Sequence, residues 1–265
     1  MERPRRRDRR GGKSDPIDAN LAALQVLRLP ADRLSIPRAD GDREALRILL
    51  SARREITTAR TRQINRLRAL LLAGDDADRD LARGTLTDNR LTPIARRRGR
   101  NGDTTEDAVR RAETRRLALA IRDAGHELTD NKRQLAELVT AISPLLLDKP
   151  GVGPVSGAQA IVSWSHAGRC RNEAAFAALA GVSPLPASSG RTTRHRLNRG
   201  GDRQLNRAIH DIVLTRWRIC PRTHGHIARR RAEGRTDREI RRSLKRYVTR
   251  ELFRTLNAPN GLDNT

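Results

Sequence analysis

The sequence predicts a mostly α-helical protein, and three observations support this fold class. Apolar residues recur every three to four positions over residues 41–73 and 105–147, and alternating strand patterns are nearly absent. A helix-start signal, the capping-box pattern Thr236-Asp-Arg-Glu239, precedes the last apolar stretch. The intervening segments are rich in glycine, aspartate and arginine, which is typical of loops.

The charge of the chain predicts a nucleic-acid partner. Its 265 residues include 55 Lys and Arg against 31 Asp and Glu, a formal net charge of +24. Such an excess attracts polyanions, and arginine forms planar, bidentate contacts with phosphate. The five aromatic residues are few for a protein that stacks successive bases of a single strand, so we expect contact with the backbone of duplex or folded nucleic acid.

The cysteine pattern and hydropathy exclude other classes. Two isolated cysteines give neither a disulfide framework nor a zinc site, and no apolar run is long enough to span a membrane. We therefore expect a cytoplasmic protein with no membrane partner.

Residues 1–14 form a basic arm, and a helix follows from Asp15 to Pro30. Asp15 suits the N-cap, Pro16 the first helical position and Asp18 the first turn. Two carboxylates three residues apart on a helix can also bind Mg²⁺. Ordinary helix-start chemistry explains the same pair, so both interpretations stay open.

The middle of the chain predicts two long helices separated by a loop. The first spans residues 41–73, and residues 74–102 are expected to be a loop or short irregular pieces. Heptad positions then repeat through the second helix, with Asn131 as the one polar member. This pattern favours coiled-coil dimerisation over a long helix of a single bundle. The heptad positions are Leu117, Ile121, Ala124, Leu128, Asn131, Leu135, Leu138, Ile142 and Leu145.

Residues 147–162 predict a helix-hairpin-helix. Gly151 and Gly153 lie in a Pro-Gly-Val-Gly-Pro turn, where exposed backbone N–H groups and the N-terminus of the second helix can hold a DNA phosphate. A plain helical hairpin is the alternative. Further helices are expected at Asn172–Ala180, at Asp202–Trp217 and after Thr236.

The segment 181–207 holds the candidate nucleophile. Ser188 and Ser189 precede Gly190 in a turn that can expose a hydroxyl beside a phosphodiester. A structural Ser-Gly turn is the alternative. His195 and His210 are candidate proton shuttles, and solvated or core histidines without a role in chemistry are the alternative for both. The candidate DNA-binding residues around the segment and in the hairpin are Gly151, Gly153, Arg191, Arg194, Arg196, Arg199 and Arg203.

Two sets of motifs together resemble the DEDD-type insertion-sequence transposases of the "one-ten" family. Gly12-Lys-Ser-Asp-Pro-Ile-Asp-Ala19 resembles the last acidic motif of that family. Residues 147–217 resemble its C-terminal transposase domain through Pro-Gly-Val-Gly-Pro, Phe-Ala-Ala-Leu-Ala-Gly-Val-Ser-Pro, Ser-Ser-Gly and Arg-Gly-Gly-Asp-Arg-Gln-Leu-Asn-Arg.

The resemblance implies an enzyme, a DNA transposase or recombinase that acts in transposition. It implies a RuvC-like domain that binds Mg²⁺ through four acidic residues, of which Asp15 and Asp18 match the third and fourth. It also implies Ser189 as the nucleophile, with Ser188 second. The implied partners are DNA, a structured guide RNA and further copies of the chain in a homodimer or tetramer, with nucleoid association.

Four regions follow from this interpretation. We expect residues 1–40 to be the C-terminal remnant of a RuvC-like α/β domain, 41–146 a coiled-coil and helical linker region, 147–257 the C-terminal transposase domain and 258–265 a disordered tail. Because the first two acidic residues have no match here, we expect an N-terminally truncated chain that is inactive alone. The alternative function is a non-catalytic, regulatory DNA-binding protein built on the helix-hairpin-helix.

Overall fold

A computed structural model gives the fold and describes residues 15–28, 30, 41–183, 185, 186, 195, 196, 198 and 200–258. The chain divides into two compact units, residues 1–38 and 39–265. Within the described residues, no helix combines the length and apolarity that a membrane crossing requires. The elements are α1 Asp15–Leu27, α2 Gly41–Leu72, α3 Asp76–Ala82, α4 Asp88–Ala95, α5 Thr105–Ile142, α6 Pro154–Trp164, α7 Glu173–Leu179, β1 Leu185–Pro186, β2 His195–Arg196, α8 Arg203–Ile219, α9 Pro221–Ala232 and α10 Asp237–Leu256.

The first unit contains α1, which confirms the predicted helix. The helix begins at Asp15 itself, one residue earlier than expected from an N-cap at that position, and it ends at Leu27. The assignment of residues 1–40 to a RuvC-like remnant stays a prediction.

The second unit is built on the long helices α2 and α5, which pack antiparallel. Arg53 donates a hydrogen bond to the carbonyl of Leu128 at 2.8 Å, and Arg60 donates one to the carbonyl of Ile121 at 3.3 Å. Later residues of α2 therefore contact earlier residues of α5, as expected for antiparallel helices. The two helices form one long hairpin.

The heptad side of α5 is packed inside the chain. Leu117, Ile121, Asn131 and Leu135 are buried there. The helix ends at Ile142, so the predicted continuation of the heptads to Leu145 is wrong. The single chain thus has the alternative arrangement, a long helix of one bundle; dimerisation stays a prediction.

Asn131 fixes how the two long helices align. Its amide nitrogen donates to the carbonyl of Leu49 at 3.0 Å, and its amide oxygen accepts from Arg53 at 3.3 Å. A buried amide that lost these partners would carry a desolvation cost, so a shift of one helix along the other is unfavourable. The polar heptad residue therefore sets register within the chain.

The segment predicted as a loop, residues 74–102, contains the helices α3 and α4. That expectation is wrong because short apolar runs there complete a small core with the distal halves of α2 and α5. We call this core the distal cluster. Its buried members are Leu67, Leu71, Ala82, Leu86, Leu91, Ile94, Ala95, Leu117, Ala118 and Ile121.

A larger core occupies the other end of the long hairpin. There α2 and α5 pack with α6, and α6 packs with α8, while α10 covers α7 and α8. The centre of this core includes Phe176, Ile161 and Ile209, all essentially inaccessible to solvent. The predicted helices at residues 172–180, at 202–217 and after Thr236 are confirmed as α7, α8 and α10.

Candidate functional site

The Ser-Ser-Gly segment connects two short strands in the sequence. β1 and β2 pair antiparallel, with Leu185 opposite Arg196 and Pro186 opposite His195. The side chain of Arg196 is not described. The predicted site residues that lie outside the described part of the chain are Ser188, Ser189, Arg191, Arg194 and Arg199.

Two glycines bring the ends of this segment into backbone contact. Gly181 has a φ of +64°, which favours glycine, and its backbone lies against Gly201. A Cβ on Gly201 would lie 2.4 Å from the Gly181 nitrogen and 2.8 Å from the Leu179 carbonyl oxygen. Since backbone atoms cannot yield as a flexible side chain does, only glycine fits here. We call this contact, with Asp202 and Asn206, the loop neck.

Hydrogen bonds from the start of α8 close the loop neck. The Asp202 N–H donates to the Leu179 carbonyl at 2.7 Å. The Asn206 amide donates to the Ala180 carbonyl at 2.7 Å, and Lys245 of α10 donates to the Asn206 amide oxygen at 2.9 Å. The end of α7, the start of α8 and the helix α10 therefore meet where the serine segment begins and ends.

Lys245 is one of only four lysines in a chain that otherwise uses arginine as its cation. Burial lowers the pKa of its ammonium group, and the charge of Asp211 opposes that shift. A lysine in such surroundings loses its proton more readily than an exposed one, a property that arginine lacks.

Asp202 joins the loop neck to α6. One carboxylate oxygen accepts from the backbone N–H groups of Gln204 and Leu205, which caps α8. The other accepts from the hydroxyl of Ser163 at 2.6 Å, and that hydroxyl in turn accepts from Gln159 at 3.0 Å. Both oxygens of Asp202 thus have structural partners.

Of the two candidate proton shuttles, the side chain is described for His210 alone. Burial lowers its pKa, and the charges of Lys245 and Arg241 lower it further, while Asp211 raises it. Its Nδ1 is buried without a hydrogen-bond partner. The imidazole near the loop neck is therefore held in its neutral form down to lower pH than an ordinary histidine.

The predicted hairpin turn packs inward at Gly151. This residue has a φ of +75°, and a Cβ would lie 3.0 Å from the carbonyl oxygen of Ile212. The Gly153 N–H donates to the hydroxyl of Ser156 at 3.0 Å. This N–H therefore already has a partner in the first turn of α6, and phosphate contact at Gly151 and Gly153 stays a prediction.

A basic groove of about 850 Å³ runs between the end of α8, α9 and α10. Glu251 is its one acidic lining residue. Its cationic lining residues are Lys149, Arg216, Arg222, Arg229, Arg250 and Arg254. Lys149 belongs to the predicted hairpin turn, and Pro150 beside it accepts a hydrogen bond from Arg216 at 2.6 Å. The hairpin region thus contributes a cationic side chain to the groove.

Several of the groove residues lie on α9, a helix that was not predicted from the sequence. The helix α9 was not predicted because it buries only Thr223 and Ile227 and contains few apolar residues. Pro221 at its first position was the available signal for a helix start. Of the predicted DNA-binding arginines, Arg203 is exposed in the first turn of α8.

The candidate metal residues lie in the first unit. Asp15 and Asp18 are both in α1, and their side chains lie outside the described part. Among the described residues, no group of three or more His, Cys, Asp or Glu could hold a metal ion.

Comparison with known proteins gives consistent matches. A family model described as "Transposase IS116/IS110/IS902 family" matches residues 143–228, and a DEDD transposase model of the IS110 type, described as "Transposase", matches residues 1–73. The first match covers α6 to α8, the loop neck and the first part of α9, and the second covers α1 and α2.

Two curated relatives are proteins of insertion elements. An uncharacterized 44.8 kDa protein of insertion element IS116 from Streptomyces clavuligerus is 29% identical over 69% of this chain and 55% of its own length. An uncharacterized 43.6 kDa protein of IS110 from Streptomyces coelicolor is 32% identical over 43% of this chain and 29% of its own length. The match thus spans about half the length of the first relative and less of the second. The two family-model matches and the two relatives together support an insertion-sequence transposase of the IS110/IS116/IS902 family.

Proposed function

We propose that this chain carries the nucleophile of a DNA strand cleavage and rejoining reaction, and that Ser189 is that nucleophile. The observation that supports the proposal is the loop neck. Its glycine contact, the Asp202 cap and the Asn206–Lys245 hydrogen bond hold both ends of the serine segment on the helical core. A nucleophile needs such support because its position relative to the phosphodiester governs the rate.

The chemistry is a transesterification. The Ser189 oxygen attacks phosphorus, an O–P bond to the protein forms, and the P–O bond to the departing strand breaks. The serine proton passes to a base, and the departing oxygen takes up a proton. Because the phosphodiester is conserved in the protein–DNA link, a DNA hydroxyl can reverse the step and rejoin strands. Ser188 is the second choice for the nucleophile.

Asp15 and Asp18 are the proposed magnesium ligands. Carboxylate oxygens are the donors that Mg²⁺ prefers, and the ion commonly combines one or two of them with water and substrate phosphates. The donor set therefore fits Mg²⁺ in kind. Bound there, the ion would neutralise charge on the phosphate oxygens.

The proposed partners follow from charge and family. DNA is the substrate, a structured RNA is the guide, and the chain acts as a dimer or tetramer associated with the nucleoid. Sedimentation of the chain with and without DNA tests the assembly. A monomer under both conditions would contradict it.

A second candidate is a regulatory protein that binds nucleic acid without chemistry. The basic groove favours it, since the groove is built from α8, α9 and α10 and needs no serine. Ser189→Ala separates the two candidates, because it removes the nucleophile and leaves the groove unchanged.

The test uses a DNA substrate with a bridging sulfur at the scissile phosphate. Its thiolate departs without an acid, so one attack traps the protein on the DNA. The chain alone is expected to give no adduct with ordinary DNA, because its acidic site is incomplete. With the activated sulfur substrate we expect a covalent adduct on a denaturing gel, with and without Mg²⁺, and a DNA-modified Ser189 by mass spectrometry. Ser189→Ala should abolish the adduct, and Ser188→Ala should retain it.

The contrary results are distinct. An adduct that persists in Ser189→Ala and is lost in Ser188→Ala would move the assignment to Ser188. Absence of any adduct, with DNA binding intact, would favour the regulatory candidate.

A further inference from the structure

The charge of the basic groove is poorly balanced by the protein itself. Arg216 pairs with Glu251, the one carboxylate among the described residues of the lining, and Arg250 and Arg254 share Glu173 outside it. Arg222 and Arg229 are both exposed, and the nearest carboxylate contact of Arg229 is Glu233 at 4.0 Å. Such a cluster attracts a ligand that supplies several negative charges in a row.

The groove also contains the exposed aromatic ring of the chain. All five aromatic residues lie in the described part, and of these Tyr247 alone is exposed, at 53%. Its ring forms a T-shaped contact with the ring of His226, with 5.6 Å between the two centroids. His226 is itself positioned, since its ring nitrogens lie 3.4 Å from the Ser243 hydroxyl and 3.3 Å from Arg229. A half-exposed aromatic ring in contact with a positioned histidine thus lies beside cations that have few carboxylate partners.

We propose that the basic groove binds unpaired nucleotides of a nucleic-acid strand, with phosphates on Arg222 and Arg229 and a base stacked on Tyr247. The combination of a cationic path and an aromatic face is the chemistry by which proteins hold single strands and loops. The inference deepens the proposed function and rests on it for the class of ligand.

A duplex fits this chemistry less well. The faces of its bases are already stacked on one another, so a duplex offers the groove phosphates and leaves Tyr247 without a partner. Unpaired single-stranded DNA and an RNA loop share the required chemistry. The tyrosine therefore predicts a preference for unpaired over paired strands, beyond the preference that charge alone creates.

Binding is measured by fluorescence anisotropy with a short labelled pyrimidine strand as DNA, the same strand as RNA, and the DNA strand annealed to its complement. The chain is tested as Tyr247→Leu and Tyr247→Phe. The matched control is Leu72→Ala, an exposed apolar residue at the far end of the long hairpin. Circular dichroism checks that each variant is folded.

We expect Tyr247→Leu to weaken single-strand binding about tenfold and to change duplex binding less than about twofold, because stacking is lost and charge is kept. Tyr247→Phe and Leu72→Ala should bind as the unaltered chain does. Equal losses for DNA and RNA strands would support the shared chemistry, and a loss for RNA alone would identify RNA as the ligand.

Photo-crosslinking gives a second measurement on the unaltered chain. A strand with a 4-thio-substituted pyrimidine should crosslink to the tryptic peptide Tyr247–Arg250. An unchanged affinity in Tyr247→Leu together with crosslinks elsewhere would overturn the inference and leave the proposed function standing. A chain that binds none of the three nucleic acids would overturn both.

Discussion

The two ends of the long α2–α5 hairpin differ in how far their acidic residues balance their arginines and lysines. Around the distal cluster, residues 75–116 contain 11 Lys and Arg against 9 Asp and Glu, and residues 203–257 contain 16 against 5. At the distal end, six of the eleven arginines form ion pairs, as with Arg111 and Asp103 at 3.0 Å and with Arg97 and Asp78. In the C-terminal region, the cationic side chains of the basic groove outnumber the carboxylates that pair with them.

This difference separates the structural arginines from those available to a ligand. The net charge of +24 makes every arginine look like a nucleic-acid contact in the sequence. The structure shows that six of the eleven distal arginines have carboxylate partners, while the C-terminal region has only five acids for its sixteen Lys and Arg. Function is therefore expected at the C-terminal end, beside the loop neck.

The largest effect on stability is expected from a substitution in the distal cluster, which should leave the basic groove unchanged. Leu117 is 2% exposed in the distal cluster, so Leu117→Ala leaves a cavity and should cost about 3 kcal/mol in the free energy of unfolding. Urea denaturation measures it. At temperatures where the variant is folded, its affinity for DNA should stay within about twofold, since the groove is unchanged. A large loss of affinity would contradict the division of roles.

The second largest effect on stability is expected from a substitution in the loop neck. Gly201→Ala forces a methyl group against the backbone of Gly181 and should cost roughly 2 to 3 kcal/mol. Hydrogen exchange at the Asp202 amide, which bonds to Leu179, should accelerate. Gly125→Ala is the control, because nothing lies near its Cβ position in α5 and alanine there should stabilise by about 0.5–1 kcal/mol. Equal behaviour of the two variants would refute the tight contact.

A smaller effect is expected at Asn131, between the two ends. Asn131→Ala removes the amide that bonds to Leu49 and Arg53, and it leaves those groups with fewer partners. We expect a loss of about 1–2 kcal/mol by urea denaturation. Asp130→Ala, its exposed neighbour, should change stability little. A stabilised Asn131→Ala would mean that the amide does not set the register.

The smallest effect is a pH dependence in the C-terminal region. Burial lowers the folded-state pKa of His210 below its ordinary value of 6.5. Below pH 6.5 the unfolded chain therefore binds a proton that the folded chain does not, and the free energy of unfolding falls as pH falls through that window. His210→Gln should weaken this decline in denaturation curves at several pH values. An identical decline in the variant would show that His210 does not contribute.

The helical class and most helices were predictable because their determinants are local. Thr236 and Glu239 form the predicted capping box, with the Thr236 N–H donating to the Glu239 carboxylate at 2.9 Å. Asn172 and Asp202 cap α7 and α8 for the same reason. The helices α3, α4 and α9 were missed because they are short or polar and are stabilised by packing that a sequence period does not reveal.

The site was predictable only in part. The Ser-Ser-Gly segment and Gly-Gly bend are visible in the sequence, but the approach of Gly201 to Gly181 joins residues 20 positions apart. Lys245 and Tyr247 come from α10, so their places beside the loop neck and in the groove depend on helix packing. The heptad pattern indicated that one side of α5 packs against another helix, and in the structure that helix is α2. The pattern could not identify the helix, because apolar heptad positions look the same whether they pack within the chain or against a second copy.

The central claim, that nucleic acid binds the C-terminal end, is tested by two double variants with the same change in net charge. Arg222→Gln with Arg229→Gln alters the basic groove, and Arg79→Gln with Arg83→Gln alters distal arginines that pair with Asp76 and Asp80. The measurement is the slope of the logarithm of the binding constant against the logarithm of salt concentration. The groove pair should make the slope shallower by about 1.5, and the distal pair should leave it unchanged. Equal changes in both variants would contradict the account, because binding would then follow total charge rather than the groove.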